Sequence, residues 1–206
     1  SPKMVYKIIN MLNDKPRTKQ GVYSMLKAMF SKAVIWGYML DNPCTRVDPP
    51  KYTAKEKIVY TPEQIEKIIK IVSNEEPKYQ ALFYFAILCG MRREEIVGLK
   101  WEEIDFGESV FEIKRAATDL KGIGTFGGET KNKKSIRKLT LPETLVPILK
   151  KIRAWQTSQQ LSLRDKWKSE GWIFTKWNGS IMCVDTPSWW WCNLKKKHSD
   201  ILPQQT

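Results

Sequence analysis

The sequence predicts an α+β chain, mostly helical with a small antiparallel sheet in its larger part and an all-α segment before it. Three observations carry this. Apolar residues recur at helical spacing toward both ends, and strand-like alternation interrupts them between Ile104 and Leu141. A proline-rich basic stretch, Asp48-Pro49-Pro50-Lys51 through Lys57, divides the chain. With 206 residues, 42% hydrophobic and 11% aromatic, there is room for a small domain beside a medium one and enough apolar mass for a core. The expected organisation is residues 1–48, a linker at 49–57, and a larger domain at 58–206.

Met4, Val5, Ile8, Ile9, Met11 and Leu12 give a first helix. A polar break is expected from Asn13 to Gly21, around Pro16. A second helix from Val22 to Leu40 carries the stripe Met25, Leu26, Met29, Phe30, Ala33, Val34 and Trp36, and Asp41-Asn42-Pro43 stops it. After the linker, Thr61-Pro62-Glu63-Gln64 starts a helix as cap, N1 proline and N3 glutamine, with Ile65, Ile68, Ile69 and Val72 inward. Tyr79 to Cys89 is apolar nearly all round and predicts a central buried helix, broken at Gly90 before another from Arg92 to Leu99. Val110, Phe111 and Ile113 mark one strand and Lys138 to Leu141 a second. Gly122, Gly124, Gly127 and Gly128 predict a flexible connection. Glu143 to about Ser162 is helical, Asn178-Gly179 predicts a hairpin turn between Trp172–Phe174 and Ser180–Met182, and Thr186-Pro187 opens a last helix to Lys197.

Composition narrows the function. No apolar run approaches the roughly 18–20 residues of a membrane span, and the N-terminus does not read as a signal peptide. Cys44, Cys89, Cys183 and Cys192 lack paired spacing and His198 is the single histidine, which argues against a disulfide framework or zinc site and for a soluble, cytoplasmic protein. The formal charge is +13 and uneven: +7 over residues 1–57, −3 over 58–115 and +9 over 116–206. Two basic ends around an acidic middle suit a polyanion such as nucleic acid, although solubility alone also accounts for basic charge.

The chemistry concentrates in Cys89-Gly90-Met91-Arg92-Arg93-Glu94-Glu95-Ile96-Val97-Gly98-Leu99-Lys100-Trp101-Glu102-Glu103-Ile104-Asp105. A turn at Gly90 places Arg92 at the start of a helix. A guanidinium there can grip two oxygens of a phosphodiester in a fork and stays charged at any working pH. Glu95, three residues on, shares its helical face and can hold the guanidinium in place; the plainer reading is a surface ion pair. The segment resembles the first box of the tyrosine recombinases, the phage-integrase family. Gly90, Arg92, Glu95, Leu99, Trp101, Ile104 and Asp105 match in register, while Cys89 and Glu103 stand where Thr and Asp are usual.

A second match runs from Thr130 to Pro142. It looks like the family's β-hairpin lysine segment, in which a lysine protonates the departing 5′-hydroxyl. Lys131 is the matching position, with simple phosphate contact as the alternative. Lys133, Lys134 and Arg137, with Lys51, Lys55 and Lys57 in the linker, are expected DNA-backbone contacts. Ser24 to Pro43 is similar to the closing helices of the family's core-binding domain, which clamps DNA opposite the catalytic domain.

The resemblance implies site-specific DNA recombination or integration through a phosphotyrosyl intermediate, with Arg92 on the scissile phosphate, Glu95 orienting it and Lys131 as general acid. It implies double-stranded attachment-site DNA as partner, a homotetrameric synaptic complex, no metal or cofactor, and a nucleoid-associated bacterial or phage protein of a mobile element. The family's His-x-x-Arg and C-terminal tyrosine have no counterpart here. His198 is followed by Ser199, Asp200 and Ile201, and all seven tyrosines precede Arg92. The chain is therefore expected to be a fragment or natural truncation, monomeric and inactive alone. The alternative is a non-catalytic DNA-binding or regulatory protein with an integrase-like shell. Of Trp189-Trp190-Trp191, at most two share a helix face, so core packing is favoured over base stacking; Lys195 to Lys197 suit a helix C-terminus.

Overall fold

Proline decides where most helices begin. α1 (Pro2–Asn10), α2 (Pro16–Ile35), α3 (Pro62–Val72), α4 (Pro77–Cys89) and the last helix (Thr186–Lys197) all carry one in their first turn. Its fixed φ suits that turn, and its missing N–H would have had no partner there. The computed structural model describes residues 1–12, 15–53, 59–120, 122–129 and 136–199. Pro16 opens α2 instead of breaking the chain, and the helix takes in residues 16–21 of the expected polar break. α2 also ends earlier than expected. Gly37 adopts φ +78°, with its N–H on the Val34 carbonyl and that of Tyr38 on Ala33, a left-handed cap that closes the helix at Ile35.

The chain forms two units, Ser1–Ile58 and Val59–Thr206. In the first, α1 and α2 close over Val5, Ile9, Tyr23, Cys44 and Val47. The Tyr23 hydroxyl lies 3.1 Å from the carbonyls of both Cys44 and Val47. Asn42 caps the short turn Pro43–Arg46, accepting from the Cys44 amide at 2.9 Å, and its Nδ2 donates to the Lys27 carbonyl and the Ser31 hydroxyl.

The second unit is built around α4. Ala81, Leu82 and Phe85 are fully buried, and Phe85 meets Phe111 and Phe174 edge to face at 5.3 and 6.2 Å. α4 is not buried all round, however: Ile87 and Leu88, in its last turn, are 45% and 53% exposed. α3 carries the expected capping box, with Thr61 and Gln64 each accepting from the other's backbone amide. α5 (Arg93–Val97) follows Gly90, and a 3-10 turn at Trp101–Glu103 leads into β1 (Ile104–Asp105). β1, β2 (Val110–Ile113) and β5 (Arg137–Thr140) form an antiparallel sheet with β2 central.

β3 (Arg115–Leu120) and β4 (Gly124–Glu129) pair as a separate hairpin, so the glycine-rich stretch is largely strand and not loop. Glycine hides the strand because it leaves no alternating side chains to read. At Gly127 its absence of Cβ is required, since a methyl group there would strike the Trp172 ring. α6 (Leu145–Leu163) packs on α4 through Leu145, Ile148, Leu149 and Ile152. The Asn178-Gly179 turn is present between bridged Thr175 and Ile181. In α7 (Thr186–Lys197), Trp190 is buried, stacks on Tyr79 at 5.2 Å and donates to Glu75 at 2.9 Å, while Trp189 is 70% exposed.

α5 lies directly on β3. A Cβ at Gly98 would sit 2.8 Å from the Ala117 amide nitrogen and 3.1 Å from the Ala116 carbonyl carbon, both backbone atoms. Gly98→Ala is expected to lower stability by about 1–3 kcal/mol, because backbone cannot rotate aside. Urea denaturation at neutral pH reads the change; a midpoint equal to that of the native chain would show that the contact has slack.

Candidate functional site

The site begins with the end of α4. Gly90 takes a left-handed conformation (φ +60°), which most side chains resist, and the chain leaves the helix sharply. Met91 turns into the core, and Arg92 follows in an extended conformation as the residue before α5. Its side chain is 73% exposed, yet it is not loose. Nη1 donates to Glu95 Oε1 at 2.9 Å, and the Arg92 amide donates to Glu95 Oε2 at 3.0 Å.

Glu95 is only 3% exposed and accepts two further bonds. From β5, Arg137 reaches it with both fork nitrogens, Nη1 on Oε1 at 3.0 Å and Nη2 on Oε2 at 2.8 Å. Burial pushes the Glu95 carboxyl up, but the bonds from Arg137 and Arg92 outweigh that and hold its pKa at about 2, against an ordinary 4.5. Glu103 shows the contrast. It is equally buried and accepts one bond, from the Lys100 amide at 2.8 Å; Oε1 lies 3.3 Å from Arg115 without a well-aligned bond. Burial dominates there and raises its pKa. Two carboxylates in one motif are thus set oppositely by how many donors meet them.

Of the residues singled out from sequence, the structure brings Arg92, Glu95 and Arg137 together. It gives Arg137 a carboxylate partner that the sequence alone does not assign. The signal is present: in a strand ending at Leu141, residues 137, 139 and 141 share one face, so Arg137 turns inward with Leu139. Lys51 is exposed in the first unit. Lys131, Lys133, Lys134, Lys55 and Lys57 lie outside the described residues. A second tie has no counterpart in the sequence reading. Arg93 bonds Glu94 at 2.8 Å, Asp185 at 2.6 Å and Ser188 at 3.2 Å, joining α5 to the start of α7. Buried Gln156 is a third, accepting from the Trp101 indole at 2.7 Å and donating to the Trp172 and Ile173 carbonyls.

Residues 59–202 match the model of the phage integrase family, and the chain belongs to that family. It is 31% identical over 204 residues to a tyrosine recombinase XerC-like protein of Caldanaerobacter subterraneus, covering 90% of this chain and 50% of that one. It is 26% identical to the ICEBs1 integrase of Bacillus subtilis, covering 70% and 38%. The chain thus spans half the length, or less, of these relatives. Among solved structures, the Tn1549 transposon integrase in complex with circular intermediate DNA superposes with a TM-score of 0.77 at 19% identity, over 100% of this chain and 65% of that one. A lambda integrase dimer bound to a core site gives 0.59 at 14%, over 95% and 50%. At these identities the likeness establishes the fold.

Because the Glu95 pKa is lower folded than unfolded, its stabilisation is fully present above pH 4.5 and fades as pH falls toward 2, a span of about 3 kcal/mol. Glu95→Gln is expected to cost about 3 kcal/mol at pH 7, near the lower figure for breaking a buried ion pair because both guanidiniums keep some water. It should also flatten the acid limb of a stability–pH profile. Denaturation from pH 7 to 3 measures both, and an unchanged acid limb would contradict the assignment.

Proposed function

We propose that this chain supplies the phosphate-gripping part of a site-specific recombinase, which breaks and rejoins DNA strands through a phosphotyrosyl intermediate. The observation that carries the reading is the Arg92 guanidinium, anchored by one edge to a buried carboxylate and otherwise open to solvent. Such a group can meet a phosphodiester with its free N–H bonds and needs no reordering as charge grows on the equatorial oxygens in the transition state. One carboxylate against two arginines leaves the cluster with a net positive charge even with Glu95 ionised.

Arg92 then binds the scissile phosphate, Glu95 orients it and Lys131 protonates the leaving 5′-oxygen. Lys133, Lys134, Lys51, Lys55 and Lys57 contact the duplex backbone. No tyrosine follows Arg92 in these 206 residues, so the chain is read as carrying the phosphate ligand and not the nucleophile. The partner is double-stranded recombination-site DNA, acted on in the cytoplasm by a tetramer of the whole protein. By itself the polypeptide binds duplex DNA as a monomer and does not cut it.

Arg92→Ala is expected to weaken duplex binding at every sequence tested and to lower the slope of log K against log salt by about 1, one phosphate contact. Fluorescence anisotropy across a salt series checks this. A nicked suicide duplex should give no covalent adduct with this polypeptide. An unchanged slope would remove Arg92 from the phosphate, and an adduct would show a nucleophile within the chain.

A further inference from the structure

We infer that Arg137 is a positioning residue of the phosphate site, fixing the Glu95 carboxylate and through it the direction of the Arg92 guanidinium. This rests on the reading of Arg92 as the phosphate ligand and gives Arg137 a role distinct from backbone contact. The geometry carries it. Arg92 is held by a single side-chain bond, Nη1 to Oε1, so the guanidinium points wherever that oxygen is. α5 is little more than one turn long, and a glutamate side chain has three rotatable bonds. Arg92 meets both oxygens from within its own turn, amide on Oε2 and Nη1 on Oε1, and the Arg137 fork meets both again from a separate element, with parallel bonds of 3.0 and 2.8 Å from a strand paired to the central strand of its sheet.

Among the described residues, the charged groups around the carboxylate on its own element are Arg92 and Arg93, with Glu94 beside it; on β5, Arg137; on β3, Arg115 pairs instead with Glu102 and Glu103. α4 has no ionised side chain in its last turn. Arg137 is thus the described group from another element that bonds Glu95. A lysine in its place keeps the charge but offers no fork. Arg137→Lys therefore separates positioning from simple phosphate attraction.

The test uses the native chain, Arg92→Ala, Arg137→Lys and the double variant, each titrated with a mixed-sequence duplex of about 30 base pairs at low salt. Arg92→Ala should weaken binding about 5–10-fold. Arg137→Lys should weaken it about 3-fold in the native background and less than about 1.5-fold on Arg92→Ala, because the two act through one carboxylate. Additive losses would overturn the inference and make Arg137 an independent contact.

NMR decides the positioning without DNA. In Arg137→Lys the Arg92 Nε–H signal should move or broaden, and the Glu95 carboxyl should titrate at least about one pH unit higher. Neither changing would overturn the inference. If Arg92→Ala leaves DNA affinity intact, the phosphate reading fails while these spectra still judge the positioning. Should Arg137→Lys not fold, the native chain suffices: resolved Arg137 Nη signals report a fixed fork, and a single averaged signal refutes it.

Discussion

A buried carboxylate with four donors around it organises this site. Glu95 is nearly inaccessible to water, and an ionised carboxylate in such a place is costly unless its oxygens are met. Here both oxygens are met twice, by two guanidiniums and one backbone amide. The charge is retained, its pKa falls to about 2, and the arginine on the solvent side acquires a direction. The outcome is an exposed cation with a rigid base, a group suited to a phosphodiester.

The surrounding fold keeps that cluster in place. The left-handed turn at Gly90 ends a helix packed through Phe85 in the core and delivers Arg92 one residue after buried Met91. Gly98 lets the far end of α5 lie against β3 at backbone distance. Arg93 ties the same short helix to α7 through Asp185 and Ser188. A helix this short has little stability of its own, so its orientation comes from these three attachments, from Ile96 and Val97 buried in the core, and from the Arg137 fork.

Much of this is legible in the sequence where local rules and tertiary needs agree. The capping box at Thr61, the turn at Asn178-Gly179 and the strand at Val110 to Ile113 appear as their residues predict. Arg92 and Glu95 stand out because a glycine stop and an i, i+3 pair are short-range signals. The departures have two kinds of cause, a local cue that serves a different purpose and a partner far along the chain. Pro16 reads as a break because proline is excluded from a helix interior, yet here it occupies the first turn of α2, where its fixed φ is suited. The glycines of β4 read as a loop because only the Trp172 ring, far along the chain, reveals why Gly127 lacks a side chain. Arg137 reads as one more basic residue of a lysine-rich segment, because the carboxylate that it holds, Glu95, lies 42 residues earlier.

The most direct test of the Glu95 cluster as a phosphate-binding base is the structure of the chain on a duplex DNA. An Arg92 nitrogen is expected about 2.7–2.9 Å from a backbone phosphate oxygen, with the Nη1–Glu95 bond and the Arg137 fork intact behind it. A structure in which DNA binds while Arg92 faces away from every phosphate, or in which Glu95 releases both arginines, would contradict that role.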